Sequence, residues 1–522
     1  MREANQSWKD MDMERTSQRT KLHEFLAREF AGTRFIAVSN REPYIHRRGR
    51  SGVECMQPAS GLATALDPIL RATGGTWVAH GSGDADRSVV DSRNRVPVPP
   101  GGPEYTLRRV WLDRQTEKRY YYGLANEGLW PLCHVAFHRP AFRLADWEAY
   151  RHANEIFAES VLDEAGDDPA VVFIQDYHFA LLPRILRERN PRLTIAHFWH
   201  IPWPNREVFR VFPWGEELLD GLLGNDLLGF HLQYHCANFM DTVDRGVEAR
   251  VDNERSLIHR KGTATRVSAF PISIDYAAHN VSASDAGVLT QMEGWREKLR
   301  LGDARIGLGI DRADYTKGIP ERLRAIDRFF EMCPEHRGRM VFLQVAVPSR
   351  SSISSYRRLD RELNGLAESI NRKWRSGTWE PVRLIAEHLP QKELIPLHRL
   401  SDFCLVTSLH DGMNLVAKEY VASRSDEDGV LILSTFTGAA RELTTAVLVN
   451  PYSPDQVATA VRSALQMPRT ERAGRMRALR RTVEANDVYH WANSILQCVA
   501  ETTVAPWQVG AQRATALAGL TA

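Results

Sequence analysis

Long apolar runs are missing from this sequence of 522 residues. No run approaches the roughly 18 apolar residues that span a membrane, and residues 1–30 are charged throughout, without the apolar segment of a signal peptide. Neither sign of charge dominates, because 67 lysines and arginines stand against 65 aspartates and glutamates, for a formal net charge of +2. This balance gives no indication of a nucleic acid or a membrane surface as partner. We therefore expect a cytoplasmic protein.

Common metal and nucleotide signatures are missing as well. The six cysteines are scattered without a CxxC pair, so we expect buried free thiols in a reducing compartment. There is no GxGxxG and no GxxxxGK[ST], so the sequence has neither the dinucleotide-binding fingerprint nor a Walker loop. Two histidine pairs have i, i+4 spacing, His134 with His138 and His231 with His235. Neither pair has a third ligand specified nearby, so we expect no metal site.

Short apolar runs alternate with segments of helical periodicity through most of the chain. Runs typical of strands are 34–40, 76–79, 106–112, 171–175, 193–199, 227–230 and 270–274, and then 306–310, 340–347, 382–385, 403–407, 430–433 and 446–449. Helical segments include 61–73, 145–164, 320–332 and 354–372. The alternation indicates βαβ units and parallel sheets. It predicts an α/β protein with two Rossmann-like domains and a cleft between them.

The domain boundaries follow from breaks in this pattern. Residues 275–298 are polar without a clear strand, so we expect a linker there. The expected order is an N-terminal extension, helical or partly disordered (1–32), a first Rossmann-like domain (33–285), a second one (286–470), C-terminal helices packing back across the first domain (471–503) and a flexible tail (504–522). At this length the chain exceeds one compact core, which agrees with more than one domain.

Residues 402–420 combine a strand, a glycine-containing turn and a capped helix. The apolar run 403–407 suits a strand, and Asn414 is a good cap for the helix that follows. The N–H groups at such a helix start bind anions. Asp411 lies just before them and can accept hydroxyl protons, while Glu419 can reach a diol such as a ribose. The set predicts a nucleotide-sugar pocket; the alternative is an ordinary αβ connection with surface charges.

Cationic side chains follow two other predicted strands. Arg312 and Lys317, five residues apart across a turn, can converge on one diphosphate, with a bidentate fork and a point charge. Arg350 is a third cation at a strand end and suits a further phosphate. The alternative for each is a solvated arginine or lysine with ion pairs. Asp176 and His200 also follow strands, at the sheet edge where such folds bind ligands.

Several segments resemble, in place and order, the trehalose-6-phosphate synthases of retaining glycosyltransferase family 20. Residues 312–322 and 411–420 resemble the donor-site signatures of that family, and 121–134 resembles its acceptor segment. Further matches are 175–178, 200–204, 227–230, 270–274 and 434–442, so the resemblance runs over about residues 34–500. It implies a GT-B fold, in which two Rossmann-like domains face each other across a cleft. It also implies transfer of glucose from UDP-glucose to glucose 6-phosphate, giving α,α-trehalose 6-phosphate and UDP.

The resemblance also implies roles for individual residues. Donor-binding residues would be Gly61 in a flexible closing loop, Arg312 and Lys317 on the diphosphate, Leu389 facing the uracil, Asp411 with Gly412, Met413, Asn414 and Leu415 on the glucose, and Glu419 on the ribose. Acceptor-binding residues would be Arg41, Trp77, Tyr122, Trp130, Asp176 and Arg350. Catalysis would fall to His200 beside the reacting sugar, with Arg312, Lys317 and Asp411. UDP-glucose would be a co-substrate, with no cofactor and no metal required, a homo-oligomer is compatible, and a separate phosphatase is expected downstream.

Departures from the family pattern leave alternatives open. Ser60 stands where the family commonly has glycine, and His410 replaces an arginine, which removes a fixed charge near the donor. Residues 41–44 and 76–79 resemble the related glucosylglycerol-phosphate synthases. A second hypothesis is therefore the same donor with glycerol 3-phosphate or another phosphorylated acceptor. A third is a catalytically silent sugar-phosphate sensor, although a sensor need not keep all four of the candidate donor residues.

Overall fold

The computed structural model of this chain describes residues 20–50, 52–57 and 61–502. They form two compact units. The first takes in the described residues of Met1–Cys133, Arg139–Pro271 and Tyr489–Ala522, and the second takes in His134–His138 and Ile272–Val488. Of the expected extension 1–32, residues 20–29 are helical, while 1–19 lie outside the described residues, as does the predicted tail 504–522.

The central strands of the first unit are rich in apolar residues. The strands of this unit are β1 (Arg34–Arg41), β2 (Ile45–Gly49), β3 (Gly52–Met56), β4 (Thr76–His80), β5 (Arg95–Val98), β6 (Tyr105–Val110), β7 (Ala170–Gln175), β8 (Thr194–Phe198), β9 (Leu227–Phe230), β10 (Arg250–Asp252), β11 (Leu257–Arg260) and β12 (Thr263–Ala269). Every residue of β7 is buried. This is expected of a parallel strand that helices cover on both faces.

Ten of these strands form one sheet, in the order β10-β11-β12-β9-β8-β7-β1-β4-β6-β5. The strands from β12 to β6 in that order are parallel to one another. β5, β10 and β11 join antiparallel at the two sides, and β2 pairs with β3 in a separate hairpin. Because the parallel strands end at one edge, the residues that follow β1, β7 and β8 come together there.

Helices cover this sheet. They are Gly61–Thr73, Asp86–Val89, Arg114–Glu117, Trp130–His134, Leu144–Ala165, Leu182–Arg189, Arg206–Phe209, Gly215–Leu222 and Gln233–Gly246, with a π-helix over Lys118–Leu129 and a 3₁₀ turn over Tyr177–Phe179. Residues 488–502 are also helical. The ring of Trp491 lies 5.3 Å from Phe198 and 6.1 Å from Phe173, so this last helix completes the core of the first unit.

The second unit has a parallel sheet in the order β15-β14-β13-β16-β17-β18. Its strands are β13 (Arg305–Arg312), β14 (Met340–Val347), β15 (Val382–Ile385), β16 (Phe403–Val406), β17 (Val430–Ser434) and β18 (Val447–Val449). Its helices are Tyr276–Ser284, Gly287–Lys298, Ile319–Met332, Ser354–Trp374, Gln391–Leu400, Leu415–Ser423, Pro454–Gln466 and Arg469–Ala485, with 3₁₀ turns Tyr315–Lys317, Pro334–His336 and Gly438–Arg441. Side chains of β14 alternate between two apolar clusters, Phe342 in one and Leu343 in the other. The predicted class of two Rossmann-like domains is confirmed.

Two sequence predictions are wrong. Residues 270–274 are not a strand, because β12 ends at Ala269 and Pro271 has no N–H to continue the ladder. The expected linker at 275–298 contains two helices instead. Asp275 starts the first of them by accepting a hydrogen bond from the Ala278 N–H at 2.9 Å.

The unit boundaries also differ from the expected ones. Residues 139–271 belong to the first unit and residues 272–488 to the second, so this boundary falls between residues 271 and 272. The predicted boundary was between residues 285 and 286. The helix Arg469–Ala485 belongs to the second unit, where Arg480 Nη1 donates to the Ala422 carbonyl at 3.0 Å, and only residues from Tyr489 onward join the first. None of the described helices has the length and apolarity needed to cross a membrane.

Candidate active site

A lysine–carboxylate pair lies at the carboxyl edge of the second sheet. Lys317 Nζ is 2.5 Å from Asp411 Oδ2. Lys317 ends the 3₁₀ turn that follows β13, and Asp411 lies in the loop after β16. β13 and β16 are neighbours, with Leu308 opposite Cys404, so their following loops meet. The structure therefore brings together two residues that the sequence analysis selected independently.

Asp411 is held as an ionised acceptor. Ser408 Oγ and Asn414 Nδ2 donate to Asp411 Oδ2 at 3.2 and 3.1 Å. Burial opposes ionisation, but Lys317, followed by His134 and Asn414, lowers the pKa of Asp411 to about 2. A carboxylate that is charged at neutral pH can accept hydrogen bonds from sugar hydroxyls.

The helix Leu415–Ser423 begins beside this carboxylate. Asn414 caps it by accepting from the Ala417 N–H at 3.2 Å, as the sequence predicts. Asn414 has φ of +76°, a left-handed conformation that a non-glycine residue adopts at a cost and that is found at ligand sites. Gly412, Met413 and Leu415 lie in the same turn, so the backbone donors of a helix start adjoin Asp411.

The segment 434–442 supports this turn through its backbone. Gly438 N–H donates to the Asp411 carbonyl at 3.1 Å, and Ala439 N–H donates to the Met413 carbonyl at 2.9 Å. A Cβ on Gly438 would lie 2.0 Å from the Gly412 oxygen, so only glycine permits the approach. The match of this segment to the family pattern thus has a structural reason.

Arg322 holds the backbone of Lys317 in place. No role was predicted for it from the sequence. Its guanidinium is fully buried, with Nη1 2.8 Å from Asp311 Oδ2 and Nε donating to Thr407 Oγ1 at 2.8 Å. Nη2 donates to the Lys317 carbonyl at 3.4 Å. Its position at the end of the 312–322 signature, one turn into the helix Ile319–Met332, could have indicated this role.

Two predicted arginines lie at the ends of β13 and β14. Arg312 is the last residue of β13. Arg350 Nη1 donates to Asp314 Oδ2 at 2.9 Å and to the Tyr356 hydroxyl at 2.5 Å. Burial would raise the pKa of Asp314, but Arg350 and Arg312 bring it below its usual value. Arg350, predicted for the acceptor, therefore belongs to the second unit and is paired with a buried carboxylate.

The remaining donor-side predictions lie on three elements. Glu419 is half-buried on the helix Leu415–Ser423, and burial raises its pKa. Leu389 is buried in the loop after β15. Gly61, predicted in a closing loop, is the first residue of a helix, and the preceding residues 58–60 lie outside the described residues. Sequence reasoning missed Lys418, which is 1% exposed and lies 2.7 Å from Glu442.

A second polar cluster lies in the first unit. Arg41 ends β1, and its Nη2 donates to the Tyr121 hydroxyl at 3.0 Å. The Tyr121 ring stacks on His178 at 5.6 Å. Tyr122, the residue predicted from the sequence, has a ring that meets Tyr121 edge-on at 5.0 Å. Tyr121 thus contacts the guanidinium, Tyr122 stays a predicted acceptor residue, and the buried Trp130 follows the π-helix.

Asp176 and His200 follow the adjacent strands β7 and β8. Asp176 has φ of +74°, and its Oδ1 accepts from the His200 N–H at 3.2 Å. His200 Nε2 lies 2.9 Å from Gln175 Oε1. Burial, followed by the neighbouring imidazoles of His231 and others, holds the pKa of His200 well below its usual value. His200 is therefore a neutral hydrogen-bonding ring at physiological pH.

Trp77 does not belong to this cluster. It is fully buried, and its indole N–H donates to Ser39 Oγ at 2.8 Å. It is the second residue of β4, near the amino end of the strand, whereas Arg41, Asp176 and His200 lie at the carboxyl ends of theirs. The prediction of an acceptor contact fails because Trp77 is a core residue. In the described ranges, no group of three or more His, Cys, Asp or Glu side chains is placed to hold a metal ion.

Comparison with known proteins decides the family. The model of glycosyltransferase family 20 matches residues 33–501. The chain belongs to glycosyltransferase family 20. A trehalose-6-phosphate synthase of Mycobacterium marinum is 39% identical over 487 residues, which cover 91% of this chain and 95% of that protein.

Solved structures of the family agree with this assignment. An Escherichia coli structure described as bound with UDP-2-fluoro glucose has a TM-score of 0.80 at 31% identity, covering 90% of this chain and 99% of that one. An α,α-trehalose-phosphate synthase (UDP-forming) of Burkholderia xenovorans, in complex with glucose-6-phosphate, has a TM-score of 0.79 at 30% identity, covering 89% and 99%. The predicted GT-B fold is confirmed.

Proposed function

We propose that this protein is a retaining glucosyltransferase that moves glucose from UDP-glucose to glucose 6-phosphate, forming α,α-trehalose 6-phosphate and UDP. The observation that carries the proposal is the Lys317–Asp411 pair beside the start of the helix Leu415–Ser423. It places a cation, an ionised carboxylate and backbone donors together. Family membership supports the reaction class, and the related structures with a UDP-glucose analogue and with glucose-6-phosphate support the two substrates.

The second unit binds the donor. Arg312, Lys317 and the helix start stabilise the negative charge that grows on the departing UDP. Asp411 accepts hydrogen bonds from glucose hydroxyls, and Glu419 accepts them from the ribose, with Leu389 beside the uracil. Lys317 already neutralises Asp411 at 2.5 Å, so a bound diphosphate shares a cation that is in place before binding. Such preorganisation avoids reorientation of charge during the reaction.

Most of the proposed acceptor residues belong to the first unit. Arg41 grips the phosphate, with Tyr121 fixing its guanidinium from 3.0 Å. Asp176 accepts from an acceptor hydroxyl, and His200 provides a neutral ring beside the reacting sugar, with Trp130 near the π-helix. Arg350 remains an acceptor residue in this proposal, and Asp314 and Tyr356 fix the position of its guanidinium through Nη1.

The chemistry uses the side chains of the chain itself. The acceptor hydroxyl attacks the anomeric carbon of the glucose on the same face from which UDP leaves. The leaving phosphate takes the proton of that hydroxyl. Arg312 and Lys317 supply the positive charge for departure, so we propose that no metal is required. The product keeps its phosphate, so a separate phosphatase acts next. Exclusion of water protects the donor from hydrolysis.

The test is UDP release from UDP-glucose with glucose 6-phosphate and, in parallel, with glycerol 3-phosphate, each product being identified by its mass. Release with glucose 6-phosphate and a trehalose 6-phosphate mass is the expected result. Release with glycerol 3-phosphate alone would overturn the acceptor. Absence of release with both acceptors, in protein that binds UDP, would indicate the sensor instead.

A further inference from the structure

Residues His134–His138 leave the first unit and pack within the second. His410 Nδ1 donates to the His134 carbonyl at 2.6 Å. The His138 ring stacks on Tyr315 at 4.2 Å with an interplanar angle of 18°. The Phe137 ring meets Tyr452 at 6.2 Å. We call residues 134–138 the strap.

Two of the residues that contact the strap lie in the loops that carry the proposed donor-binding residues. His410 immediately precedes Asp411, and Tyr315 lies two residues before Lys317 in the same 3₁₀ turn. The ion pair between Lys317 and Asp411 joins the two loops at 2.5 Å. A ligand that binds to Lys317 or Asp411 therefore contacts the two loops that also hold the strap.

The strap is continuous with a proposed acceptor residue. The helix Trp130–His134 has Trp130 at its first position and ends at the residue whose carbonyl His410 binds. This helix has only five residues, so a single helical turn joins Trp130 to His134. The placement of the His134 carbonyl thus bears on the placement of Trp130.

The chemistry of the His410 contact is defined by its acceptor. A carbonyl oxygen can only accept, so Nδ1 carries the proton. Burial lowers the pKa of His410, which keeps the imidazole neutral near pH 7. The contact is therefore a neutral hydrogen bond, made where the family pattern has a permanently charged arginine.

We propose that His410 is a positioning residue that makes acceptor binding depend on donor binding, by holding the strap to the donor loops. The proposal deepens the proposed function and rests on it for the identity of the two ligands. It requires that UDP raise the affinity for glucose 6-phosphate, and that the increase depend on the hydrogen bond from His410. By reciprocity, glucose 6-phosphate must raise the affinity for UDP by the same factor.

The experiment compares the dissociation constant of glucose 6-phosphate with and without saturating UDP, by calorimetry on the full chain. The ratio of the two constants should fall about fivefold to tenfold in His410→Ala, the loss expected of one hydrogen bond. His410→Asn keeps a donor at the same place and should restore most of the ratio. His152→Ala removes an exposed histidine elsewhere and is the matched control.

A merely structural role would lower stability, or both affinities, and leave the ratio unchanged; that result would overturn the proposal. Thermal unfolding with UDP checks that each variant is folded. Amide hydrogen exchange of a peptide covering residues 130–138 supplies a second readout. UDP should slow exchange there in the wild type and in His410→Asn but not in His410→Ala. This readout needs no transfer and no acceptor, so failure of the proposed function, seen as absent UDP release, is distinguishable from failure of the coupling.

Discussion

At the scale of single residues, the candidate site depends on charges that are fixed before a ligand arrives. Arg322 holds the Lys317 backbone, and Ser408 and Asn414 hold the carboxylate that Lys317 faces. Each supporting group is itself buried, so the pair has little freedom to relax. The charge of Lys317 is therefore the most direct quantity to remove.

Lys317→Ala should retain the fold and lose most transfer activity. Removal of one preorganised charge from the leaving group typically costs about 10²–10³ in turnover. The measurement is the rate of UDP release at saturating donor and acceptor. Lys392→Ala, which removes an exposed lysine from the helix Gln391–Leu400, is the matched control and should turn over at the wild-type rate. Near-wild-type turnover in Lys317→Ala would refute the assigned role.

Asp411 gives a prediction on pH and stability. Its folded pKa, about 2, lies below the usual 3.8, so the ionised form stabilises the folded state. This contribution is complete above the unfolded pKa and is lost as the pH falls through the folded one. The wild type should therefore have a higher free energy of unfolding than Asp411→Asn. This difference should be largest near neutral pH and should shrink between about pH 4 and pH 2. Urea unfolding at several pH values measures it, and a constant difference would contradict it.

Residue types at strand ends were readable from the sequence, whereas their exact partners were not. Lys317, Asp411 and Asn414 follow apolar runs, and parallel strands bring such positions to one edge. Tyr121 and Tyr122 differ only by rotation around a π-helix, whose register no periodicity revealed. Trp77 was assigned through the family resemblance, although the predicted strand 76–79 already put it near the amino end of that strand.

At the scale of elements, one glycine controls how the donor loop enters its helix. Gly318 joins the 3₁₀ turn Tyr315–Lys317 to the helix Ile319–Met332 with φ of +63°. A Cβ there would lie 2.4 Å from the Thr407 carbonyl oxygen. The backbone of β13's loop therefore lies directly on the segment after β16, which is how Lys317 comes to face Asp411.

Gly318→Ala should destabilise the protein by more than the left-handed conformation alone, which costs about 1–2 kcal/mol. It should also weaken UDP binding, because the clash displaces the turn that ends at Lys317. Gly338→Ala is the matched control: its φ is +77°, but a Cβ there meets nothing within 4 Å. Urea unfolding and UDP titration of both variants separate conformational strain from the clash. Equal losses in the two variants would exclude a role for the close approach.

The strands that are buried on both faces were predicted best from the sequence. β9 and β14 have the predicted bounds, because continuous apolar runs mark a parallel strand. β2 and β3 escaped detection because their hairpin is largely exposed and carries charges. The helices at 276–298 were missed because their hydrophobic face is narrow; Trp295 and Val288 are the buried positions of the second one. Short or exposed elements depend on tertiary contacts that periodicity does not encode.

At the scale of the whole molecule, the chain builds each unit from separated segments. The first unit is completed by residues after Tyr489, and the second receives residues 134–138. Alternation of strands and helices indicated two sheets but carried no information on these crossings. The divided helices of 471–503 are the clearest case, because helix periodicity is the same whichever unit a helix packs on.

The last helix yields a prediction about which unit loses stability. Trp491 is 1% exposed among the rings of Phe173 and Phe198, so Trp491→Ala should cost about 3–5 kcal/mol in the first unit. Calorimetry with and without UDP identifies the units, because a ligand raises the transition of the unit that binds it. The transition that UDP does not raise should move down in Trp491→Ala. Trp295→Ala, in the core of the second unit, should instead lower the UDP-dependent transition. If Trp491→Ala lowered only the UDP-dependent transition, the C-terminal helix would have to stabilise the donor unit, contrary to its ring contacts.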